Sequence, residues 1–430
     1  MSSSDTIVAL SSGSLPSGVA VIRLSGPATG ELVTGLAGTL PSPRRLTLET
    51  LRIGGEPVDT GLVAWFPGPH SFTGEDCAEL QVHGSPAVVR RLLRHLSAQA
   101  GTRLAEAGEF TRRAFENGKL DLTEVEGLGD LISAETESQR QQALARLAGG
   151  LSRQLESWRH RLLGLRAEIE AQLDFSDEGD VGQLPVDYGD NVAALETELR
   201  AAAESVGRGR IVREGLRVAL AGPPNAGKSS LLNALARSDV AIVTDEAGTT
   251  RDVREVPIDV GGQLVVLIDM AGLRETSSKA EAEGVRRARE ELGRADLVLW
   301  LSAPDAHTSP DTILVPMWQI ATKSDLGVAP GELSLSTATG DGVAALIARL
   351  GAFAAAAIGA GEPVLVSRER DLAALESAAA ALMEARTQVD DPELAAESLR
   401  RASQALERLL GRMDAESVLD RLFSSFCIGK

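Results

Sequence analysis

The residues that bear most directly on chemistry lie at Gly222–Ser229, which follow the pattern glycine, any four residues, then Gly-Lys-Ser. In such a loop, successive backbone N–H groups and the N-terminus of the following helix point at one anion. Lys228 is expected to reach the outer phosphates of a bound nucleotide, and the Ser229 hydroxyl to hold Mg²⁺. A nucleotide-phosphate site over Asn225, Ala226, Gly227, Lys228, Ser229 and Ser230 is therefore predicted. The alternative is a glycine-rich turn that binds nothing.

Further motifs follow in an order that suits a nucleotide site. An acidic residue at a strand end, Asp269, can hold the shell of Mg²⁺, and Gly272 leaves its backbone free to approach the γ-phosphate. The segment Gly248–Asp252 supplies hydroxyl groups for the metal. Met270 and Ala271 lie between Asp269 and Gly272, and the side chain of Met270 is expected to point away from the phosphates.

A third group of residues is suited to a guanine base. The carboxylate of Asp325 can accept two N–H bonds from guanine, and a site built that way rejects a base that lacks those donors. Lys323 is expected to stack its aliphatic stem along the base. Ser336, Thr337 and Ala338 fit the loop that contacts the guanine carbonyl.

The spacing of apolar residues predicts the strands and helices that must position these residues. Residues 217–221 are predicted as a buried strand and 230–236 as a helix, and strands alternate with helices over 215–357, which is typical of a parallel sheet. Residues 1–118 also mix strands with helices. Two helical blocks, at about 120–208 and 367–426, show apolar residues every three or four positions, from Leu144 to Leu173 in the first. We expect the two blocks to pack together, with the α/β part inserted between them. Two independent helical arms are the alternative.

Composition narrows the classes of function. The 430 residues carry a net charge of −18, which argues against non-specific nucleic-acid binding by the whole surface. Two cysteines cannot form a disulfide framework, and no signal peptide or membrane-spanning run is evident, so a cytoplasmic location is predicted. Only five of 43 basic residues are lysine, which singles out Lys119 and Lys430 beside the lysines of the nucleotide motifs.

The nucleotide motifs together resemble those of translation-factor-class GTPases. With its flanks included, nearly the whole chain resembles the MnmE (also called TrmE) family, GTPases of tRNA wobble-uridine modification. The resemblance rests on Asp5–Ala9, Arg23–Gly26, Ser71–Asp76, Gly108–Phe115, Asn117–Leu122 and the terminal Phe426–Lys430. It implies a multi-domain fold: an α+β amino-terminal folate-binding and dimerisation domain (1–118), a discontinuous α-helical domain (119–213 and 359–430) and an inserted α/β P-loop G domain (214–358).

The resemblance also implies cofactors and partners. A one-carbon tetrahydrofolate would contact Arg23, Glu79, Lys119 and Lys430; K⁺ would bind Asn225, Thr244, Glu246 and Thr249; Mg²⁺ would bind Ser229 and Thr250. The GTP site would extend through Asp245, Ala247 and Gly248. The homodimer would join the flavoprotein MnmG and place an aminomethyl or carboxymethylaminomethyl group on carbon 5 of the wobble uridine of certain tRNAs.

Three residues are candidates for catalysis. The family's water-positioning glutamate falls on Glu281, K⁺ held by Asn225 would supply the charge that an arginine finger gives elsewhere, and Arg274 (with Arg251) lies in a switch-like segment. Cys427 is either a reactive thiol or inert. A surface role for Arg251 and Arg274 and a solvated Glu281 are the alternatives.

The sequence departs from the family pattern in two places that affect these expectations. Thr322 stands where the family usually has asparagine, which predicts a weaker guanine affinity, and Ser11–Ser17 replaces a Pro-Pro-Gly-Arg-Gly loop beside the folate site. A regulatory GTPase of ribosome assembly is the rival function, and a scaffold with a degenerate G domain is a third.

Overall fold

The computed structural model describes residues 5–174, 184–242, 254–270, 293–306, 308, 315–413, 416–424, 426 and 428–429. The chain forms two compact units. The first comprises residues 1–129 and 407–430, and the second comprises residues 130–406.

The first unit is built on a six-stranded mixed sheet. Its strands are β1 (Thr6–Leu10), β2 (Ser17–Ser25), β3 (Thr47–Ile53), β4 (Glu56–Phe66), β5 (Cys77–Gly84) and β6 (Thr102–Leu104), in the spatial order β3-β4-β5-β2-β1-β6. Neighbouring strands are antiparallel except β1 and β6, which are parallel. The strands predicted near 5–10, 19–24, 61–66 and 78–83 are confirmed, whereas β3 and β6 were not anticipated.

One face of this sheet is apolar. Alternate residues such as Ile22, Leu24 and Leu80 are fully buried there and pack with α1 (Thr29–Ala37) and α2 (Pro86–Ser97). Because side chains alternate along a strand, Arg23 and Glu79 belong to the opposite face. The unit also contains α3 (Glu109–Glu116), most of α4 (Leu122–Ile132) and α12 (Glu416–Ser424), which packs against α3.

A second six-stranded sheet lies in the second unit. Its strands are β7 (Leu216–Ala221), β8 (Arg254–Val260), β9 (Gln263–Asp269), β10 (Leu297–Ser302), β11 (Met317–Ala321) and β12 (Leu333–Ser334), in the order β12-β11-β10-β7-β9-β8. All pairs are parallel except β8 with β9. Alternate residues of β7 enter hydrophobic clusters on the two faces, so both faces are covered. The helices α8 (Lys228–Ala236) and α9 (Val343–Ile358) follow β7 and β12 in the chain.

The remaining helices of the second unit come from the chain segments before and after the second sheet. They are α5 (Glu137–Leu147), α6 (Gly150–Asp174), α7 (Tyr188–Glu214), α10 (Glu369–Thr387) and most of α11 (Pro392–Leu409). Helix α10 packs along α7, so the prediction that the two helical blocks pack together is confirmed. A buried ion pair also joins them, with Arg146 Nη1 3.3 Å from Asp371 Oδ2 and both side chains 0% exposed.

The apolar stripe predicted for the first helical block is wrong at its start. Leu144 is 45% exposed, while Gln142, Ala143 and Arg146 are buried on α5. The chain breaks the helix between Leu147 and Gly150, where Gly149 adopts a φ of 74°, so one helical phase does not run through both helices. From Leu151 onward, the predicted positions Leu155, Trp158, Leu162, Leu165 and Ile169 are buried.

The predicted fold class is thus confirmed: an α+β amino-terminal part, a discontinuous helical part and an inserted α/β part. The boundaries drawn at 118, 213 and 358 stay predictions. Across the part of the chain that the structure describes, no helix combines the length and the apolar character needed to cross a bilayer.

Candidate functional site

The phosphate-binding motif forms the turn between β7 and α8, at the carboxyl end of a central strand of the sheet. Gly222, Asn225 and Gly227 have φ values of 134°, 67° and 89°. A Cβ added at Gly222 would lie 2.3 Å from the carbonyl oxygen of Leu301, so β10 passes too close for any side chain. The loop therefore curls tightly, and α8 begins at Lys228, so the N-terminus of this helix lies at the loop.

Two side chains at the start of α8, Lys228 and Ser229, are suited to contact the phosphates of a nucleotide and their metal ion. Lys228 Nζ donates to the carbonyl oxygens of Gly222 and Pro223 at 2.9 and 2.8 Å, so the ammonium group lies within the curve of the loop. The Ser229 hydroxyl donates to Asp269 Oδ2 at 2.8 Å, and Asp269 is only 3% exposed. The structure thus brings together a hydroxyl and a carboxylate oxygen, which are ligands that Mg²⁺ prefers.

The register of the sheet explains why Ser229 and Asp269 meet. Asp269 ends β9 and pairs with Leu220 of β7, one residue before that strand ends. The carboxyl ends of parallel neighbours meet at one edge, where α/β sheets bind ligands. Met270 follows Asp269, and its side chain packs in the hydrophobic cluster on one face of the sheet.

The predicted base-binding residues lie on the loops after β11 and β12. Ser336 is 1% exposed; its hydroxyl donates to Asp325 Oδ1 and accepts the backbone N–H groups of Ala338 and Thr339 at 3.2 and 3.3 Å. These bonds tie the loop containing Thr337 to the Asp325 carboxylate. Asp325 is exposed, and its carboxylate is suited to accept N–H donors from a base.

Two neighbours of Asp325 have defined partners. Lys323, at a φ of 54°, directs Nζ to Asp305 Oδ1 at 3.1 Å, and that hydrogen bond lowers the pKa of Asp305. Thr322 is 3% exposed, and its hydroxyl lies 2.7 Å from the carbonyl oxygen of Ala226 in the phosphate loop and 3.1 Å from that of Ser302. Thr322 therefore links the base-binding segment to the phosphate loop.

Several predicted residues lie outside the described part of the chain. They are the segment 244–250 with its K⁺ and Mg²⁺ candidates Thr244, Glu246, Thr249 and Thr250, the residues Ala271 and Gly272, the catalytic candidates Arg274 and Glu281, Arg251, Cys427 and Lys430. Asn225 is described and its side chain is exposed on the phosphate loop.

A second candidate site lies on the first unit's sheet, on the face away from α1 and α2. Arg23 and Glu79 are directly opposite each other on β2 and β5, and Arg23 Nε and Nη2 both donate to Glu79 Oε1, at 3.1 and 2.9 Å. Within the described residues, nothing donates to the other oxygen, Oε2. The two side chains are 25% and 24% exposed, so a ligand has access to the pair.

Small residues and aromatic rings surround this pair. Across the neighbouring strands, Arg23 faces Ala9 and Glu79 faces Ala64, and both alanines are small. The Arg23 guanidinium also lies 5.7 and 5.8 Å from the ring centroids of Phe72 and Phe110. A carboxylate oxygen and a nearby exposed aromatic ring suit a heterocycle that carries N–H donors.

The third folate candidate and the carboxyl end of the chain also lie in this unit. Lys119 Nζ donates to the carbonyl oxygen of Pro69 at 3.0 Å, in the loop that carries Phe72. Ile428 forms an antiparallel bridge with Ala107, and the Ser11 hydroxyl donates to the carbonyl oxygen of Gly429 at 2.7 Å. A Cβ at Gly429 would lie 2.2 Å from the carbonyl oxygen of Leu10. The residues just before Lys430 are thus held against the end of β1.

Sequence reasoning missed a buried ion-pair network that supports this face. Arg113, with a side chain 4% exposed, contacts Asp5, Glu75 and Glu109 at 2.9 to 3.1 Å. Burial alone would raise the pKa of Glu109, but hydrogen bonds from Arg103 and the other donors outweigh it and hold that pKa below its usual value. Arginine and acidic residues recur in the amino-terminal motifs, but nothing in the sequence pairs them.

Comparisons with known proteins identify the family of the chain. Two family models match: the one described as GTP-binding protein TrmE N-terminus at residues 6–119, and the one described as MnmE helical domain at residues 122–427. A curated tRNA modification GTPase MnmE of Rhizobium meliloti is 51% identical over 100% of both chains. One from Azorhizobium caulinodans is 52% identical over 100% of this chain and 99% of its own.

Solved structures give a weaker likeness. The G domain of the T. maritima FeoB iron transporter is 26% identical, with a TM-score of 0.24, over 33% of this chain and 99% of that one. The full-length relatives, not this likeness, carry the assignment of a family.

Proposed function

The chain belongs to the MnmE family of tRNA modification GTPases, and we propose that it hydrolyses GTP at Gly222–Ser229 to drive modification of the wobble uridine of certain tRNAs. The single observation that carries the nucleotide half is the contact of Ser229 with Asp269 beside the Lys228 ammonium. Phosphates in the loop would take the place that carbonyl oxygens now occupy around Lys228.

The roles of the described residues follow from their chemistry. Backbone N–H groups of Asn225–Ser229 bind the phosphates, Lys228 neutralises the outer ones, and Asp325 accepts the N–H groups of guanine. Mg²⁺ held by Ser229 and Thr250, and K⁺ held by Asn225, Thr244, Glu246 and Thr249, would supply positive charge beside the phosphates. We propose Glu281 as the residue that orients the attacking water, and Arg274 as an alternative source of charge.

The modification half rests on the Arg23–Glu79 face. We propose that a one-carbon tetrahydrofolate binds there, with Glu79 Oε2 accepting pterin N–H groups and the cations of Lys119 and Lys430 binding the tail carboxylates. The bound folate would supply the one-carbon unit. The docking of Gly429 on Ser11 supports a place for Lys430 in this unit.

The complete reaction needs partners. We propose a homodimer that works with the flavoprotein MnmG and transfers an aminomethyl or carboxymethylaminomethyl group to carbon 5 of the uridine. A cytoplasmic location stays a prediction.

The decisive experiment is analysis of wobble uridines in cells that lack the chain, complemented with the wild type or with Lys228→Ala. We expect the modified uridine to vanish without the chain and to return only with the wild type. Fully modified tRNA in the deletion would instead favour the rival function in ribosome assembly. A second measurement also distinguishes tRNA modification from ribosome assembly: only the modification function predicts that the chain binds folate and that removal of Lys430 abolishes this binding.

A further inference from the structure

The residue at position 322 changes how this site can read guanine. A threonine hydroxyl has one proton, whereas an asparagine amide has two N–H donors. The Thr322 hydroxyl lies 2.7 Å from the carbonyl oxygen of Ala226 and 3.1 Å from that of Ser302, so its only proton is directed to backbone acceptors.

The Thr322 hydroxyl cannot give up these backbone acceptors to donate a hydrogen bond to a ligand. Thr322 is 3% exposed and Ala226 is 0% exposed, so a hydroxyl that turned away would leave a buried carbonyl group without its donor. Buried polar groups without partners are strongly disfavoured. The hydroxyl therefore presents only lone pairs to anything that binds on its other side.

Guanine offers two kinds of groups to the protein. Its N1–H and N2–H₂ groups are donors, which suit the Asp325 carboxylate, while N7 and O6 are acceptors and need donors. Three described donors near Asp325 already have partners: the N–H groups of Ala338 and Thr339 bond to Ser336 Oγ, and Lys323 Nζ lies 3.1 and 3.3 Å from the two carboxylate oxygens of Asp305.

We infer that this chain recognises guanine through Asp325 without a hydrogen bond to N7, because Thr322 uses its single donor to hold the phosphate loop. The inference rests on the proposed GTP site. It implies a GTPase that accepts nucleotides altered at N7.

The test compares GTP with 7-deaza-GTP, in which a C–H group replaces N7, by calorimetric titration of the full-length chain. We expect the two dissociation constants of the wild type to agree within about twofold. In Thr322→Asn, one amide N–H can hold the loop and the other can reach N7, so GTP should become preferred by about two- to tenfold, the range of one net hydrogen bond.

Two further variants separate loop anchoring from base reading. Thr322→Ser keeps the hydroxyl, so its dissociation constants for GTP and 7-deaza-GTP should stay nearly equal. This variant can be measured even if Thr322→Asn does not fold. Thr322→Val removes the proton and should weaken both nucleotides about two- to tenfold with an unchanged ratio.

The results that overturn the inference are distinct from failure of the proposed function. A wild type that prefers GTP over 7-deaza-GTP by fivefold or more, or a Thr322→Asn chain whose ratio stays near one, refutes the role of Thr322. A wild type that binds neither nucleotide refutes the GTP site itself.

Discussion

Replacement of Glu79 by glutamine separates binding from stability in the first unit. The Arg23–Glu79 pair is about three-quarters buried, and Arg23 keeps its contacts with Phe72 and Phe110 when the charge at position 79 is lost. Glutamine keeps a side-chain oxygen that can accept both Arg23 bonds, so the loss should stay near the roughly 0–1 kcal/mol of a solvent-accessible ion pair. We therefore expect the melting temperature of Glu79→Gln to fall by no more than about 4 °C.

The effect on folate should be much larger. Hydrogen bonds to a charged acceptor contribute about 1.5–3 kcal/mol, which corresponds to roughly 10- to 150-fold in affinity. Glutamine places an NH₂ group where the pterin also has N–H donors, so the bonds to Oε2 cannot be replaced. Calorimetric titration with 5-formyltetrahydrofolate measures the change.

A matched control lies in the same unit. Glu56 pairs with Arg91 at the surface, and Glu56→Gln removes the same charge from a pair that is more exposed. Its folate affinity should equal that of the wild type. The reasoning is refuted if Glu79→Gln binds folate as the wild type does, or if it melts so far below the control that loss of structure explains the loss of binding.

Three other predictions concern the second unit. Ser229→Ala removes the hydroxyl that contacts Asp269, and GTP turnover should fall at least 100-fold while the melting temperature stays within about 3 °C; normal turnover would remove Ser229 from the metal site. Turnover should be faster in K⁺ than in Na⁺, and Asn225→Ala should abolish the difference; equal rates in the wild type would contradict the K⁺ site. Burial and the charge of Glu168 raise the pKa of Tyr188 from 10.0 to about 12. Only the unfolded chain ionises this group between those values, so up to about 3 kcal/mol of stability is lost as pH rises from 10 to 12. In Tyr188→Phe, urea midpoints should fall less over that range, and an equal fall would show that another group is responsible.

The nucleotide site was largely readable from sequence because its parts are local. A strand, a glycine-rich turn and a helix start follow one another from Leu216 to Ala236, and each is fixed by neighbours in the chain. The Ser229–Asp269 contact was also accessible, because parallel strands bring their carboxyl ends to one edge.

What the sequence could not provide depends on distant packing. Gln142 and Arg146 are polar residues on a short helix, and their burial depends on partners far away in the chain, among them the carbonyl groups of Val364 and Leu365. The break at Gly149 shifted the helical phase and exposed Leu144. The Thr322 hydroxyl donates to the carbonyl oxygen of Ala226, and the sequence could not show this contact because the two residues are far apart in the chain.

The buried pair of Arg146 and Asp371 can form only late in synthesis. The two residues are 225 positions apart, and a ribosome adding 5–20 residues per second needs roughly 10–45 s to deliver the second after the first. The nucleotide-binding segment emerges within that interval and can fold while α5 still lacks the acid that its guanidinium requires. A newly made chain can therefore carry a folded GTP-binding part before α5 has its buried acidic partner, and we expect proteases to remove chains truncated before Asp371.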